Sequence, residues 1–509
     1  MKQLIMQPHR QRRFALRVSV VAVQMALCGA AHAGDWRLVP RLSTDVTYTD
    51  NVQQTQHDRD GDFINTVSPG LSVRGNSARL KTHIDYNWRQ QLYADETDFN
   101  RDNHQLQADI AATAVKNWLY FDLNSRISQQ STDTRNFTSL SSRGRGNQLN
   151  DVTSLELAPR IEHNFGAVGS MQLGYEHQII DRAPTGNGVE IVPPNGFDIG
   201  SSSSVEDGVN INLKSGSITG RMPVSFSAEA RDVKFETGNS RKFRNAQSNL
   251  SYVFNREFTL RGTGGYDANT YGSQQGSSNG VFWSVGGVWT PSPRTSVEFD
   301  WGDRYFGKTV NAAARHTHRR WRFDFTYSTS VTTANQFERG LILVPLFDIN
   351  GAPIFDPVTS GQIFVPVDSP NANDDVFLET RTGAGLAYTL RRGLLSLRYF
   401  EAKRESELNN GTNRTRGVTF DWNHRIRPRL STNLSAMWRN NEQGSGSSGS
   451  GHYYSFYPSV SYELGPHTTA RFQYELTINN GNSGFGFSGS TNSQNFYENA
   501  FTASLAFHL

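Results

Sequence analysis

Along most of the chain, apolar and polar residues change places at every step. Leu80, Thr82, Ile84, Tyr86 and Trp88 share one phase, while Lys81, His83, Asp85, Asn87 and Arg89 fill the other. The same contrast separates Leu119, Phe121 and Leu123 from Asp122, Asn124 and Arg126, and Val297, Phe299 and Trp301 from Glu298, Asp300 and Gly302. It returns at Trp321, Phe323, Phe325 and Tyr327, at Val418, Phe420 and Trp422, and at Ala470, Phe472, Tyr474 and Leu476. A period of two puts successive side chains on opposite faces of a β-strand, so one face of each strand meets an apolar medium and the other meets water.

The connections alternate as well. Short ones stand at 76–77, 116–117, 166–169, 214–217, 255–257, 291–294, 391–393, 427–429 and 465–467. Between them lie longer polar links at 93–103, 129–151, 181–203, 236–243, 269–279, 306–316, 403–415, 440–451 and 478–495. Tight turns at one end and long loops at the other are the pattern of an outer-membrane barrel with periplasmic turns and surface loops. The fold class is therefore all-β, a transmembrane antiparallel up-and-down barrel. Counting forward from residue 34 gives 14 strands to about Thr329, and counting back from Leu509 gives seven to about Leu378. If both termini face the periplasm, 330–378 must cross the membrane an odd number of times. Its best strand is Leu341 to Phe347, set among Pro345, Pro353, Pro357 and Pro366. The total is about 22 strands, with 18 and 20 also meeting the even-number rule. This Pro-rich insertion is equally a candidate to enter the lumen as a constriction.

Composition fits that picture. The 509 residues are 36% hydrophobic and 19% charged, below the ~45–50% and ~25% of ordinary globular chains. Disorder is excluded by 11% aromatics. After residue 33 no run of about 18 apolar residues occurs, so no helix crosses a membrane. Residues 1–33 read as a signal peptide: Lys2, Arg10, Arg12, Arg13 and Arg17 lead into an apolar stretch from Val18 to Leu27, and Ala31-His32-Ala33 precedes Gly34 as a small-x-small cleavage site. Cys28 follows the bulky Leu27, which is wrong for lipoprotein processing. Without this leader the formal charge falls from +3 to −2, since five basic and no acidic residues leave with it. A nucleic-acid role then has no electrostatic support. The remaining 34–509 also lacks Cys, which removes disulfides and Cys-ligated zinc.

Few motifs carry chemistry. Asp58-Arg59-Asp60-Gly61-Asp62 alternates carboxylates around a glycine, as calcium loops do, but no bidentate Glu follows at the expected spacing. His316 and His318 place two imidazoles on one strand face, short of the three or four ligands of a metal site. No nucleophile elbow occurs. The expectation is no catalytic site, no cofactor and no metal. Trp88, Trp289, Trp301, Trp321, Trp422 and Trp438 suit an interfacial girdle, while inward-facing Tyr120 and Phe282 could stack on sugar rings. The inward phase carries Lys81, Arg89, Arg126, Arg160, Arg322 and Arg398 against Asp85, Asp122, Glu162, Glu298, Asp300 and Asp324. A ring of one sign would select ions; this mixture suits a neutral or weakly charged hydrophilic solute.

Phe501, Ala503, Leu505, Phe507 and Leu509 alternate to the last residue, and resemble the C-terminal signature recognised by the outer-membrane barrel assembly machinery, which usually ends in Phe or Trp. At the other end, Trp36-Arg37-Leu38-Val39-Pro40-Arg41-Leu42 leads into Tyr48-Thr49-Asp50-Asn51-Val52. This opening resembles the outer-membrane β-barrel proteins associated with PEP-CTERM/exosortase systems, a group within the β-barrel porins. The resemblance implies a Gram-negative outer membrane and a conduit for exported exopolysaccharide, with outer-membrane lipid around it and periplasmic or inner-membrane export proteins as partners. A general diffusion porin and a structural or adhesive surface barrel are the alternatives.

Overall fold

A computed structural model describes residues 34–131, 149–184, 203–236, 240–271, 277–333, 344–345, 364–365, 376–407, 411–444, 449–481 and 495–508. The signal-peptide segment 1–33 and most of 330–378 lie outside the described residues. In chain order the strands are β1 (Asp35–Thr49), β2 (Asp62–Asn76), β3 (Leu80–Tyr93), β4 (Arg101–Val115), β5 (Leu119–Ser131), β6 (Leu149–Asn164), β7 (Gly169–Pro184) and β8 (Ser204–Ser215). Next come β9 (Val224–Phe235), β10 (Ser240–Val253), β11 (Phe258–Asp267), β12 (Gly280–Ser292), β13 (Thr295–Arg304), β14 (Gly307–His318), β15 (Trp321–Thr333) and the two-residue β16 (Val344–Pro345) and β17 (Phe364–Val365). The chain ends with β18 (Val376–Leu390), β19 (Gly393–Ser406), β20 (Thr412–Arg427), β21 (Leu430–Gly444), β22 (Gly449–Gly465), β23 (Thr468–Gly481) and β24 (Phe496–His508).

Twenty-two of these strands form one antiparallel sheet, which closes where β24 pairs with β1, Phe501 opposite Tyr48 and Phe507 opposite Leu42. Closure leaves no free edge, the condition a sheet must meet to span lipid. The barrel strands run from 10 to 17 residues, enough for the ~9–11 that a tilted span needs.

The strand total agrees with the sequence count, but the missing strand is not where the count placed it. β15 pairs directly with β18, Trp321 opposite Tyr388 and Thr333 opposite Val376. The intervening segment therefore adds no strand to the barrel, and its pair β16–β17 forms a separate sheet. Of the strand proposed at Leu341 to Phe347, Val344 and Pro345 pair outside the barrel, and the rest lies outside the described residues. The fifteenth strand is instead β14, inside the link read as 306–316. Arg304 lies opposite Gly307, so β13 and β14 are joined by Tyr305 and Phe306 alone, and Gly307 takes φ 106° to close the hairpin. Ala312, Ala313 and Ala314 sit at its centre, and three small residues in a row blunt the alternation that marks other strands.

This shift moves one turn to the other side of the membrane. With β14 in place, Arg319 and Arg320 belong to the tight-turn, periplasmic end; without it they would follow a surface loop. Since Cys28 is the single cysteine of the chain, Arg320→Cys gives a clean probe. A membrane-impermeant thiol reagent is expected to leave it unlabelled on intact cells and to label it after permeabilisation. Labelling on intact cells would restore the 14-strand count.

Register fixes the two faces all round the barrel, because directly opposed residues share a face. Leu38, Val73, Ile84 and Ala108 form one such row across β1 to β4. The apolar phase, exposed at Leu38, Phe63, Leu92, Leu250, Phe299, Leu397 and Phe472, is the outer face. Exposed apolar surface on this scale requires lipid. All six tryptophans of the expected girdle lie on that phase. Trp289 and Trp321 stand near the tight turns, Trp88, Trp301 and Trp438 toward the long connections, and Trp301 packs edge-on against Trp283 at 5.2 Å.

Candidate functional site

The inner wall is the surface a solute would meet, and many of its charges are paired. On β1 and β3, Arg41 donates to Asp85 at 3.0 Å. On β5 and β6, Arg160 engages Asp122 and, at 2.8 Å, Glu162. Arg231 of β9 stands 3.6 Å from Glu206 of β8. Arg261 of β11 forks onto Asp300 of β13 and reaches Glu298 at 3.3 Å, while Arg304 of β13 returns to Asp267 of β11 at 2.7 Å. Arg404 of β19 donates to Glu379 of β18 at 2.9 Å, and Arg381 holds the other carboxylate oxygen. A concave wall brings strand n and strand n+2 within side-chain reach, which is why Arg41 skips a strand to find Asp85.

The structure places every inward charge expected from the sequence on this face: Lys81, Arg89, Arg126, Arg160, Arg322 and Arg398, with Asp85, Asp122, Glu162, Glu298, Asp300 and Asp324. It brings Arg160, Asp122 and Glu162 together. Asp85, Asp300 and Glu298 find partners that sequence reasoning did not name, Arg41 and Arg261. The Arg404–Glu379, Arg231–Glu206 and Arg304–Asp267 pairs were missed as well. Each lies on the polar phase of its strand, so phase could have shown the residues, but partnership across strands needs the register.

Tyr120 and Phe282 do face inward, yet a guanidinium covers each ring: Arg160 at 5.0 Å and Arg304 at 4.4 Å from the centroids. Phe282 also lies over Gly265, directly opposite in register, where a Cβ would stand 2.3 Å from the ring. The acidic loop is a structural staple. Asp62 is buried, and its carboxylate accepts the backbone N–H groups of Ala94, Asp95 and Glu96 at 3.0–3.1 Å, tying β2 to the next long connection. Asp60 accepts from Gln53. His316 and His318 lie on the outer phase beside Trp321, with ring centroids 5.0 and 6.0 Å away, near the tight turns. Among the described residues no three His, Cys, Asp or Glu side chains gather as metal ligands. Phe501, Ala503, Leu505 and Phe507 line the exposed outer phase of β24; Leu509 lies outside the described residues.

At the long-connection end, beyond the strands, the hydroxyls of Tyr271 and Tyr305 bond each other, and the Tyr271 ring packs on Phe243 at 5.4 Å. Burial pushes both hydroxyls well above the ordinary tyrosine value, the neighbouring hydroxyl adding to the rise at Tyr271. A raised acid contributes stability that is complete below the unfolded value of about 10 and is lost as pH climbs further. Alkaline titration followed near 295 nm should therefore show at least two of the 18 tyrosines still neutral after the exposed ones have ionised. Tyr305→Phe should remove one of them. Ionisation of all tyrosines in a single step near pH 10 would contradict the buried pair.

Residues 29–172 match a family model described as "Putative beta-barrel porin 2". None of the curated proteins compared matches the chain. Among solved structures, the FrpB iron transporter from Neisseria meningitidis (F3-3 variant) superposes with TM-score 0.52 at 10% identity, covering 94% of this chain and 82% of that one. The F5-1 variant of the same transporter gives TM-score 0.52 at 10% identity, with 94% and 83% covered. At that identity the likeness is one of fold. The chain has the fold of an outer-membrane barrel, porin-like over its first third.

Proposed function

We propose that the barrel is a passive conduit for a large, neutral or weakly charged hydrophilic solute across the Gram-negative outer membrane, with exported polysaccharide as the substrate class. The observation that carries this reading is the series of ion pairs along the inner wall. From Arg41–Asp85 to Arg404–Glu379, guanidinium groups meet carboxylates on adjacent or next-but-one strands, so these charges face the solute as pairs of opposite sign. Such a lining neither concentrates nor repels ions, and its hydroxyl, amide and paired ionic groups can exchange hydrogen bonds with a hydroxylated polymer. The polysaccharide and its periplasmic or inner-membrane export partners come from the resemblance at the N-terminal end, not from the wall itself.

In planar bilayers the open barrel should pass small cations and anions at nearly equal rates, with a reversal potential close to zero in a salt gradient; strong selectivity for either sign would reject the neutral-wall account. Deleting the gene should abolish surface polysaccharide and leave the barrier to small antibiotics nearly intact. A general diffusion porin is the second reading, favoured by the match over residues 29–172. It predicts normal polysaccharide in the deletion strain together with reduced uptake of small solutes.

A further inference from the structure

On the outer face, two rows of side chains cross β20 to β23. The row nearer the long connections is Val418, Trp438, Tyr454 and Ile478; the next is Phe420, Ala436, Phe456 and Leu476. In the second row every position is large except Ala436. The gap opens a groove of about 310 Å³ whose lining is almost wholly apolar, with Phe420 and Phe456 as its sides and Trp438 above.

On the same outer phase, immediately beyond the groove toward the long connections, the apolar surface gives way to charge. Arg416 stands two residues from Val418 along β20, and Arg414 two further on. Arg414 donates to Glu401 at 2.9 Å and Arg416 to Glu442 at 2.8 Å; Lys403 and Glu405 pair alongside. These side chains are only partly covered. Glu401 takes Nε and Nη2 of Arg414 and Glu442 takes Nη2 of Arg416, and a guanidinium has five N–H donors, so each keeps further donors for a phosphate. Two and four residues of strand separate Arg416 from Val418 and Phe420, placing it about 7–13 Å above the groove, with Arg414 about 7 Å further out.

We propose that this is a specific lipid site, in which an acyl chain lies in the groove at Ala436 and the phosphate of the same lipid sits on Arg414 and Arg416. The occupant is a phosphorylated lipid of the outward-facing leaflet. It fits because the charged end is at headgroup height and the apolar end within the hydrocarbon band. A contact with a second copy of the chain would bury ionic pairs beside the groove for no matching group. The proposal depends on which face meets lipid and is independent of what passes through the lumen.

The test uses the full-length barrel folded in detergent, with phosphatidic acid as the probe and diacylglycerol of the same chains as its phosphate-free match. Native mass spectrometry should show one phosphatidic acid retained per barrel, in preference to diacylglycerol by tenfold or more. Inorganic phosphate at equal concentration should not displace it. Ala436→Phe, which fills the groove, and Arg414→Gln with Arg416→Gln, which removes the forks, should each weaken retention at least tenfold, while gel heat-modifiability stays normal. Ala436→Leu serves if the larger side chain disturbs folding. Equal retention of diacylglycerol would overturn the phosphate contact. Unchanged retention in Ala436→Phe, above all with a lost dimer or trimer mass, would assign the groove to a second copy of the chain and overturn the lipid site.

Discussion

Glu379→Ala is expected to destabilise the barrel by about 3–5 kcal/mol, the range for stripping one partner from a buried ion pair. Glu379 and Arg404 are each 2% exposed, directly opposed in register on β18 and β19, and Arg381 shares the same carboxylate. Removing that carboxylate takes away the charge partner Arg404 has at 2.9 Å and the one Arg381 shares. The cost comes from desolvated positive charge that loses this compensation, more than from the lost attraction. Glu379→Gln keeps the shape and one acceptor, so it should fall between wild type and Ala. Replacing both Glu379 and Arg404 by Leu should recover much of the loss, because no buried charge then remains at that pair. Urea unfolding of the detergent-folded barrel measures all three. A loss below about 1 kcal/mol in Glu379→Ala would mean that water reaches the pair and that this stretch of wall is not sealed.

Ile84→Arg should cost about 2–4 kcal/mol, the penalty for a guanidinium in the lipid-facing band. Ile84 packs with Val73, Leu106 and Ala108, and Leu71, Tyr86, Ile110 and Ile127 close around them. This is a cluster on the outside of the barrel, where large side chains on adjacent strands shield one another before lipid does. Lys81, three residues earlier on the opposite phase, is exposed to the lumen, and Lys81→Ala should change stability by less than about 0.5 kcal/mol. The temperature at which each variant loses its folded band on gels reports the difference. Equal tolerance at the two positions would reverse the assignment of faces.

The second of these expectations rests on phase, and phase was legible without coordinates. A strand turns each successive side chain to the other face by its own backbone geometry, so Ile84 outward and Lys81 inward follow from ten residues of local sequence. The same holds for the tryptophans, for Tyr120 and Phe282, and for all twelve inward charges. The reading failed where local contrast is weak. At Ala312, Ala313 and Ala314, neither face differs from the other, and β14 passed for a loop because its hairpin with β13 is only Tyr305 and Phe306. The Pro-rich segment was then asked to supply a crossing that β14 already makes.

By itself the sequence determined the barrel class, a total near 22 strands, a lipid-facing and a lumen-facing side for each, and a lining of mixed charge. All of these are properties of single strands, or sums over them. Only the tertiary structure decided that β15 runs beside β18, that β24 closes on β1, that Arg41 finds Asp85 across a strand, and that Asp62 holds three backbone N–H groups. It also decided that Ala436 falls between Phe420 and Phe456. The physical reason is that alternation repeats every two residues on every strand and carries no mark of which neighbour lies opposite. Register is set by hydrogen bonds between strands, and everything that depends on two strands at once is fixed only when those bonds form.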